Sequence, residues 1–257
     1  MGIIPADRQR QILELIHADG VVQVQELSER FQVSVLTVRR DLDYLASEGL
    51  VERTHGGATL RRSLPVEPAY SQKALEYPFE KQSIGMAVAA LISPGDTVYI
   101  NSGSTTLEVI RALRHHEITI VTNNIDAAWI ANEETSFRLI LVGGVYRNRS
   151  HSVSGSFSQP VIGNVYANKA VIGVDGFSLS AGLTTPVIEE AETTRAMIAQ
   201  TVGKVIVVAA GNKIGVVSNF RTVDVQSIHV LVTDSNGGKM LSSEELEALG
   251  IELITAG

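Results

Sequence analysis

The sequence predicts an α/β chain in two parts: an N-terminal winged helix-turn-helix, then an open, largely parallel sheet covered by helices. Three observations predict it. Ser34-Val35-Leu36-Thr37-Val38-Arg39-Arg40-Asp41-Leu42 follows two short amphipathic stretches and precedes a Gly-Leu-Val turn, as a DNA-reading helix precedes its wing. From Lys81 onward, short apolar runs alternate with helical patterns, the mark of strand–helix–strand units. Between the two, Arg61 to about Glu80 holds Pro65, Pro68 and Pro78 and no sustained apolar period, so 61–80 reads as a linker.

Within residues 1–60, Arg8, Ile12 and Ile16 lie four apart and share one helix face. Asp7 is placed to cap that helix, which Asp19-Gly20 ends. Val22-Gln23-Val24-Gln25 is a short connector, and Glu26 to Phe31 a second helix with Leu27 and Phe31 turned inward. Gln32-Val33-Ser34 is the turn, and Ser34 caps a third helix ending near Ala46-Ser47-Glu48-Gly49. Val38, Leu42 and Leu45 fall at helical spacing and pack inward, which leaves Val35, Leu36, Thr37, Arg39 and Arg40 at or beside the surface. Leu50 to Thr54 and Ala58 to Leu60 flank His55-Gly56-Gly57 as a tight hairpin. The helix-turn-helix spans 22–41. The expected partner is double-stranded operator DNA, met by Ser34, Val35, Thr37, Arg39, Arg40, Arg53 and His55. Either arginine of the Arg39–Arg40 pair could read a base while the other holds a phosphate.

The 257 residues carry a formal charge of −7, at first sight unsuited to a polyanion. The first 62 residues are nearly neutral, with eight Arg or Lys against nine Asp or Glu, so most of the excess lies beyond them. A near-neutral head with locally placed arginines still binds DNA, with modest non-specific affinity. No cysteine is present, which excludes disulfides, thiolate catalysis and cysteine-ligated zinc. No apolar run is long enough to span a bilayer and no leader pattern opens the chain, so a cytoplasmic protein without membrane partners is expected.

In residues 81–257, strands are expected at 97–100, 118–121, 139–142, 170–174, 204–209 and 230–232, with helices near 81–92, 104–114, 124–132, 187–201 and 242–249. Ligands of such sheets bind at the carboxyl ends of the strands. Three of those ends are rich in small or amide residues: Asn101-Ser102-Gly103-Ser104-Thr105-Thr106, Thr122-Asn123-Asn124 and Gly143-Gly144. Free amides and hydroxyls at a helix start suit an anion. Asp175 is placed either to accept from sugar hydroxyls or to cap a turn. Lys213 is placed either to pair with a phosphate or to sit solvated in its loop. Of Glu189, Glu190 and Glu192, the helix macrodipole accounts for at least two; Glu192 is assigned to the ligand. His115-His116-Glu117 lacks metal-ligand spacing and His151 and His229 are isolated, so neither a metal nor a cofactor is expected.

Residues 8–42 and the later motifs together resemble the DeoR family of bacterial sugar-metabolism regulators. The likeness rests on SVLTVRRDL (34–42), RTHGGA (53–58), NSGSTT (101–106), TNN (122–124), GG (143–144), GVDGF (173–177) and NKIG (212–215). It implies a winged helix joined to a ribose-5-phosphate-isomerase-like, Rossmann-like sensor domain that binds a phosphorylated sugar or related metabolite. It also implies repression, release from DNA by the effector, and a homodimer or homotetramer. By that resemblance Ser104–Thr106 hold the phosphate, with Asn101, Ser102, Gly103, Asn123, Asn124, Gly143, Gly144, Asp175, Glu192 and Lys213 around the ligand. The family often has Asp at Asn101, Lys at Thr194 and Asp at Ala210; each departure removes a charge near the inferred pocket. The competing expectation is a sugar-phosphate isomerase carrying a DNA-binding head, with Asp175 and Glu192 as acid and base and Lys213 as electrophile. Without a lysine at Thr194 that set is incomplete, so a regulator rather than an enzyme is expected.

Overall fold

The computed structural model describes residues 4–19, 21–47, 50–54, 56–60, 62–64, 67 and 69–257. His55, Gly20, Glu48, Gly49, Arg61, Pro65 and Pro68 lie outside them. The head consists of α1 (Pro5–Asp19), β1 (Val21–Gln23), α2 (Val24–Phe31), α3 (Val35–Ser47), β2 (Val51–Thr54) and β3 (Gly57–Leu60). Ile12, Ile16, Leu27, Val38, Leu42 and Leu45 form its core, as their spacing requires. Asp7 does not cap α1: the helix begins two residues earlier at Pro5, whose missing amide is harmless in a first turn, and Asp7 lies within that turn. Ser34 does cap α3, its Oγ accepting from the Thr37 amide at 3.1 Å. The connector before α2 is in fact strand β1, paired antiparallel to β3. That pairing dictates Gly57: a Cβ there would stand 1.7 Å from the Val22 carbonyl oxygen.

Next come β4 (Arg62–Leu64), α4 (Tyr70–Leu75), α5 (Pro78–Ala89), β5 (Thr97–Ile100), α6 (Ser104–Ala112), β6 (Thr119–Thr122), α7 (Ala127–Ala131) and β7 (Arg138–Leu141). Beyond them lie β8 (Val145–Arg147), β9 (Ser152–Ser154), α8 (Gln159–Gly163), β10 (Ala167–Gly173), β11 (Gly176–Ser178), β12 (Gly182–Thr185), α9 (Ile188–Ala199) and β13 (Thr201–Ala209). The chain ends with β14 (Val216–Ser218), β15 (Phe220–Val223), β16 (Val230–Asp234), α10 (Ser235–Lys239), α11 (Ser243–Ala248) and β17 (Glu252–Ala256). The stretch expected as a linker is therefore partly built: β4 pairs in parallel with β14, and α4 packs on α6. Runs of three and six residues are too short to carry a hydrophobic period, so sequence pattern cannot register them.

The central sheet has the order β17-β16-β13-β10-β5-β6-β7, with every neighbouring pair parallel. Alternate residues of one strand feed two cores. Val98 and Ile100 meet α5, α6 and α7 on one face, while Tyr99 meets Ile162 of α8 and Met197 of α9 on the other. From β5 the chain winds outward to β6 and β7, then returns to β10 and winds the opposite way. Adjacent β5 and β10 thus send their following segments in opposite directions, which opens a crevice at their carboxyl ends. No helix among the described residues is long and apolar enough to cross a membrane.

Candidate functional site

On the head, Arg39 and Arg40 are exposed on α3, beside exposed Leu36 and Tyr44. Their neighbour Asp41 is buried: its carboxylate takes Arg8 Nε at 2.5 Å, Arg8 Nη2 at 3.1 Å and Gln9 Nε2 at 3.0 Å. That two-pronged pair fixes α3 against α1, so Arg39-Arg40-Asp41 divides into two outward cations and one inward anchor. Ser34 is exposed but its Oγ is engaged by the Thr37 amide and hydroxyl, and Val35 is half-buried against the core. Arg53 is held at the wing base, with Nε 3.0 Å from Asp43 of α3 and Nη1 donating to the Gly57 carbonyl at 3.0 Å. It ties the wing to α3.

The β5–β10 crevice holds a cavity lined largely by polar side chains. Asn101, Ser102, Gly103, Ser104, Thr105, Thr106, Asp175 and Lys213 line it, as expected from their strand ends. Asn123, Asn124, Gly143, Gly144 and Glu192 do not. Asn123 supports the loop from behind: its Oδ1 accepts from the Ser102 amide at 2.8 Å and its Nδ2 donates to the Val153 carbonyl. Asn124 is fully buried, with Nδ2 donating to the Gly103 carbonyl. The smallness of Gly144 serves packing, since a Cβ would meet the Ser154 carbonyl and the Ser158 hydroxyl at 2.7 Å, and Gly143 accepts from Ser158 Oγ through its carbonyl. Glu192 is exposed, whereas Glu190 reaches the cavity. Helical spacing held the signal: Glu190 lies four residues before Thr194, which also lines the cavity.

Among the other lining residues that sequence reading missed are Tyr70 and Lys73 of α4 and Lys81 of α5. Lys81 was detectable, because it shares the buried stripe of α5 with Ile84 and Val88, where a cation needs a reason. Its ammonium donates to the Lys73 and Glu76 carbonyls, the second at 2.5 Å. Lys73 in turn pairs with Asp175 at 2.8 Å, both side chains largely buried. Burial works against both charges. For Lys73 the Asp175 carboxylate overrides it and raises the pKa above the ordinary lysine range. For Asp175 the Lys73 charge and hydrogen bond, the Lys213 charge and the Thr185 hydroxyl override it and hold the carboxyl low. Lys213 has no ion-pair partner among the described residues; burial lowers its pKa, Asp175 resists and Lys73 adds to the fall. Burial, then the Lys213 ammonium, brings Lys81 down to about 8. Burial, then the Glu67 and Asp175 charges, raise the Glu190 carboxyl against the pull of Arg147, 2.7 Å away.

Two of the departures noted in the sequence meet each other here. The Asn101 amide accepts from the Gly173 amide at 2.8 Å and donates to the Gly173 carbonyl at 3.0 Å, closing the ends of β5 and β10. The same Nδ2 lies 3.3 Å from Thr194 Oγ1. An aspartate at this position would lose both donations. A neutral hydrogen bond thus stands where a carboxylate and an ammonium would face one another, and this wall of the cavity is uncharged. The buried Asn212 Oδ1 has no partner among the described residues, an acceptor left over beside Lys213. Opposite, α6 begins at Ser104 after Gly103, and its first turn presents amides without a side-chain cap, flanked by the Ser104 and Thr105 hydroxyls. The arrangement can hold an anion at α6 and polar groups along Asp175, Asn101 and Asn212. Asp175 is paired with Lys73 and Glu192 is exposed, so these two carboxylates do not face one another in the cavity.

Residues 8–63 match the model of the DeoR-like helix-turn-helix domain, and residues 77–235 that of the DeoR C terminal sensor domain. The glycerol-3-phosphate regulon repressor of Escherichia coli K12 is 36% identical over 192 residues, covering 74% of this chain and 76% of its own. The transcriptional regulator GlpR of Haloferax volcanii is 31% identical over 253 residues, 98% of each chain. Among solved structures, ribose 5 phosphate isomerase A from Neisseria gonorrhoeae aligns over 52% of each chain at 12% identity and a TM-score of 0.39. The chain belongs to the DeoR family of DNA-binding transcriptional regulators.

Proposed function

We propose that this chain is a repressor of a carbohydrate- or polyol-utilisation operon, released from its operator by a phosphorylated metabolite bound in the β5–β10 cavity. One observation carries the reading. The uncapped first turn of α6, Lys213 without an ion-pair partner among the described residues, and buried Lys81 surround one cavity in a chain that also presents Arg39 and Arg40 on an exposed helix. Helix amides and ammonium groups recognise a phosphate dianion. The Asp175 carboxylate, the Asn101 wall and the spare Asn212 oxygen suit the hydroxyls of a sugar or polyol. That one relative is a glycerol-3-phosphate regulon repressor supports a phosphorylated polyol as one candidate effector.

On the head, Arg39 and Arg40 make the contacts to bases and phosphates, Ser34 and Thr37 set the start of α3, and Arg53 positions the wing. Strand β4 leads from the wing to β14, which begins three residues after Lys213, so the cavity and the head share a short covalent and hydrogen-bonded path. An effector shifts operator occupancy to the extent that it binds the released state more tightly.

The test is a mobility shift on DNA upstream of this gene and its neighbours, titrated with glycerol 3-phosphate and a panel of pentose and hexose phosphates. A sequence-specific complex dissolved by one phosphorylated compound, and not by its unphosphorylated parent, is the expected result. A folded protein that binds no fragment at low salt, or one released equally by the unphosphorylated parent, overturns the reading.

A further inference from the structure

Three of the groups placed to read the effector spend their hydrogen bonds on one residue of α4. The Asp175 carboxylate takes the Lys73 ammonium at 2.8 Å. The Ser104 hydroxyl, in the first turn of α6, donates to the Lys73 carbonyl at 3.4 Å. The Lys81 ammonium donates to that same carbonyl and to the carbonyl of Glu76. Lys73 thus engages the hydroxyl-reading carboxylate with its side chain, and a phosphate-reading hydroxyl and ammonium with its backbone. A phosphorylated polyol needs all three groups. Ser104 has one proton to give, and it goes to α4.

The segment is also held from outside the cavity. Arg149, in the turn between β8 and β9, donates through Nε to the Glu67 carbonyl, and its own carbonyl accepts the Tyr70 amide at 2.8 Å. Tyr70 stacks on His151, with ring centroids 4.5 Å apart. Upstream, β4 pairs with β14 and leads back to the wing. The residue that occupies the ligand-reading groups is therefore continuous in sequence with the strand that carries the head.

We propose, resting on the reading of this cavity as a phosphorylated-metabolite site, that α4 is a built-in competitor of the effector. Ligand and Lys73 exclude one another, and ligand binding lifts α4 off the cavity rather than closing it down. A lid gains bonds when its ligand arrives; α4 loses them, because the ligand claims the groups that hold it. Displacement acts where release requires it, on the chain between the cavity and β4. A seated α4 also lowers apparent affinity, since ligand enters only the fraction of molecules that Lys73 has left.

Hydrogen exchange of the full chain, with and without millimolar glycerol 3-phosphate, ribose 5-phosphate or glucose 6-phosphate, reads the sign. Amides at the start of α6 are expected to slow while those of residues 70–76 exchange at least ~10-fold faster. Slowing at α6 with slower or unchanged exchange at 70–76 overturns the proposal and leaves the phosphate site standing. No change at α6 with any of the three removes the phosphate site and the proposal with it. Arg149→Ala gives a second sign. Arg149 is exposed and lines no part of the effector cavity, so the variant keeps every lining residue. Loosening Glu67 should tighten binding of the same compounds by roughly 10-fold in calorimetry. A merely structural role would leave affinity unchanged or weaken it, and either result overturns the proposal. Should the variant fail to fold, the exchange pattern of the parent decides alone. Neither measurement involves DNA.

Discussion

The exposed face of α3 and the β5–β10 cavity use their charged residues in opposite ways. On α3 the outward cations Arg39 and Arg40 are exposed, and the fold is held by their neighbour Asp41 with Arg8 beneath. In the cavity the same groups do both jobs: Lys73 and Asp175 neutralise each other, Lys81 holds the end of α4, and Asn101 closes the sheet. A surface that meets a large rigid polyanion leaves its cations in water until the partner arrives. A cavity that meets a small ligand keeps most of its charges paired when empty, because unpaired buried charge is costly, and Lys213 is the exception here among the described residues. Function and stability should therefore separate cleanly on the head and remain entangled in the cavity.

The sharpest way to break that contrast is Arg39→Ala with Arg40→Ala. Each arginine lost from a base edge costs about 1–3 kcal/mol, so operator affinity should fall at least ~100-fold in a mobility shift. Unfolding in urea should stay within about 0.5 kcal/mol of the parent, and sugar-phosphate binding should be unchanged. Normal operator binding by the double variant would remove α3 as the reading helix. Arg8→Met attacks the anchor instead. It leaves Asp41 buried with only Gln9 as a described partner and should destabilise the head by about 3–5 kcal/mol. Adding Asp41→Leu should recover most of that loss. If Arg8→Met melts like the parent, the pair is not what holds α3 in place.

How far each region could be read in advance follows the same line. The head is local: Ile12, Ile16, Val38 and Leu42 declare their helices by spacing, and Ser34 declares a start. The inner strands of the main sheet were legible too, because they are apolar runs buried on both faces. Edge strand β17, by contrast, is partly exposed, carries Glu252 and Thr255 in its five residues, and is not among the strands the sequence predicts. The cavity was legible only where a strand end and its loop are continuous in sequence, as in Asn101 to Thr106. Lys73 and Asp175 are 102 residues apart, and no period links them. Asn123 and Gly144 drew notice for the right reason, small or amide groups at strand ends, yet serve the loop and the packing behind it. Glu192 for Glu190 was an error of helix phase.

Lys213→Ala sharpens the cavity side. Losing one cation beside the α6 amides should weaken a phosphorylated effector by roughly 10- to 100-fold, a charge-assisted hydrogen bond of about 1.5–3 kcal/mol, while operator binding without effector persists. The pH dependence carries a sign. Burial lowers both Lys81, to about 8, and Lys213, so each loses its proton earlier than a free lysine. The phosphate ligand is already a dianion above pH 7. Effector affinity, followed by calorimetry, should thus be nearly flat around pH 7 and begin to fall as pH approaches 8. It should then fall as pH rises further, toward about one log unit per pH unit for each proton taken up on binding. Affinity that rises across that interval would mean the ligand prefers neutral lysines, contrary to phosphate binding.

The smallest expected effect separates the two roles of one side chain. Ser34 caps α3 and faces outward, so Ser34→Ala should cost about 1 kcal/mol of head stability and only a few-fold of operator affinity. Ser34→Asp is the informative partner. Aspartate caps as well as serine and its charge is favoured at a helix start, so stability should return to the parent value or above. The same charge would stand on the face presented to phosphates, so operator affinity should drop below that of Ser34→Ala and the loss should grow at low salt. Ser34→Asp matching the parent in both assays would place this end of α3 away from the DNA backbone. The approach of the helix would then have to be reassigned toward Arg40 and Tyr44.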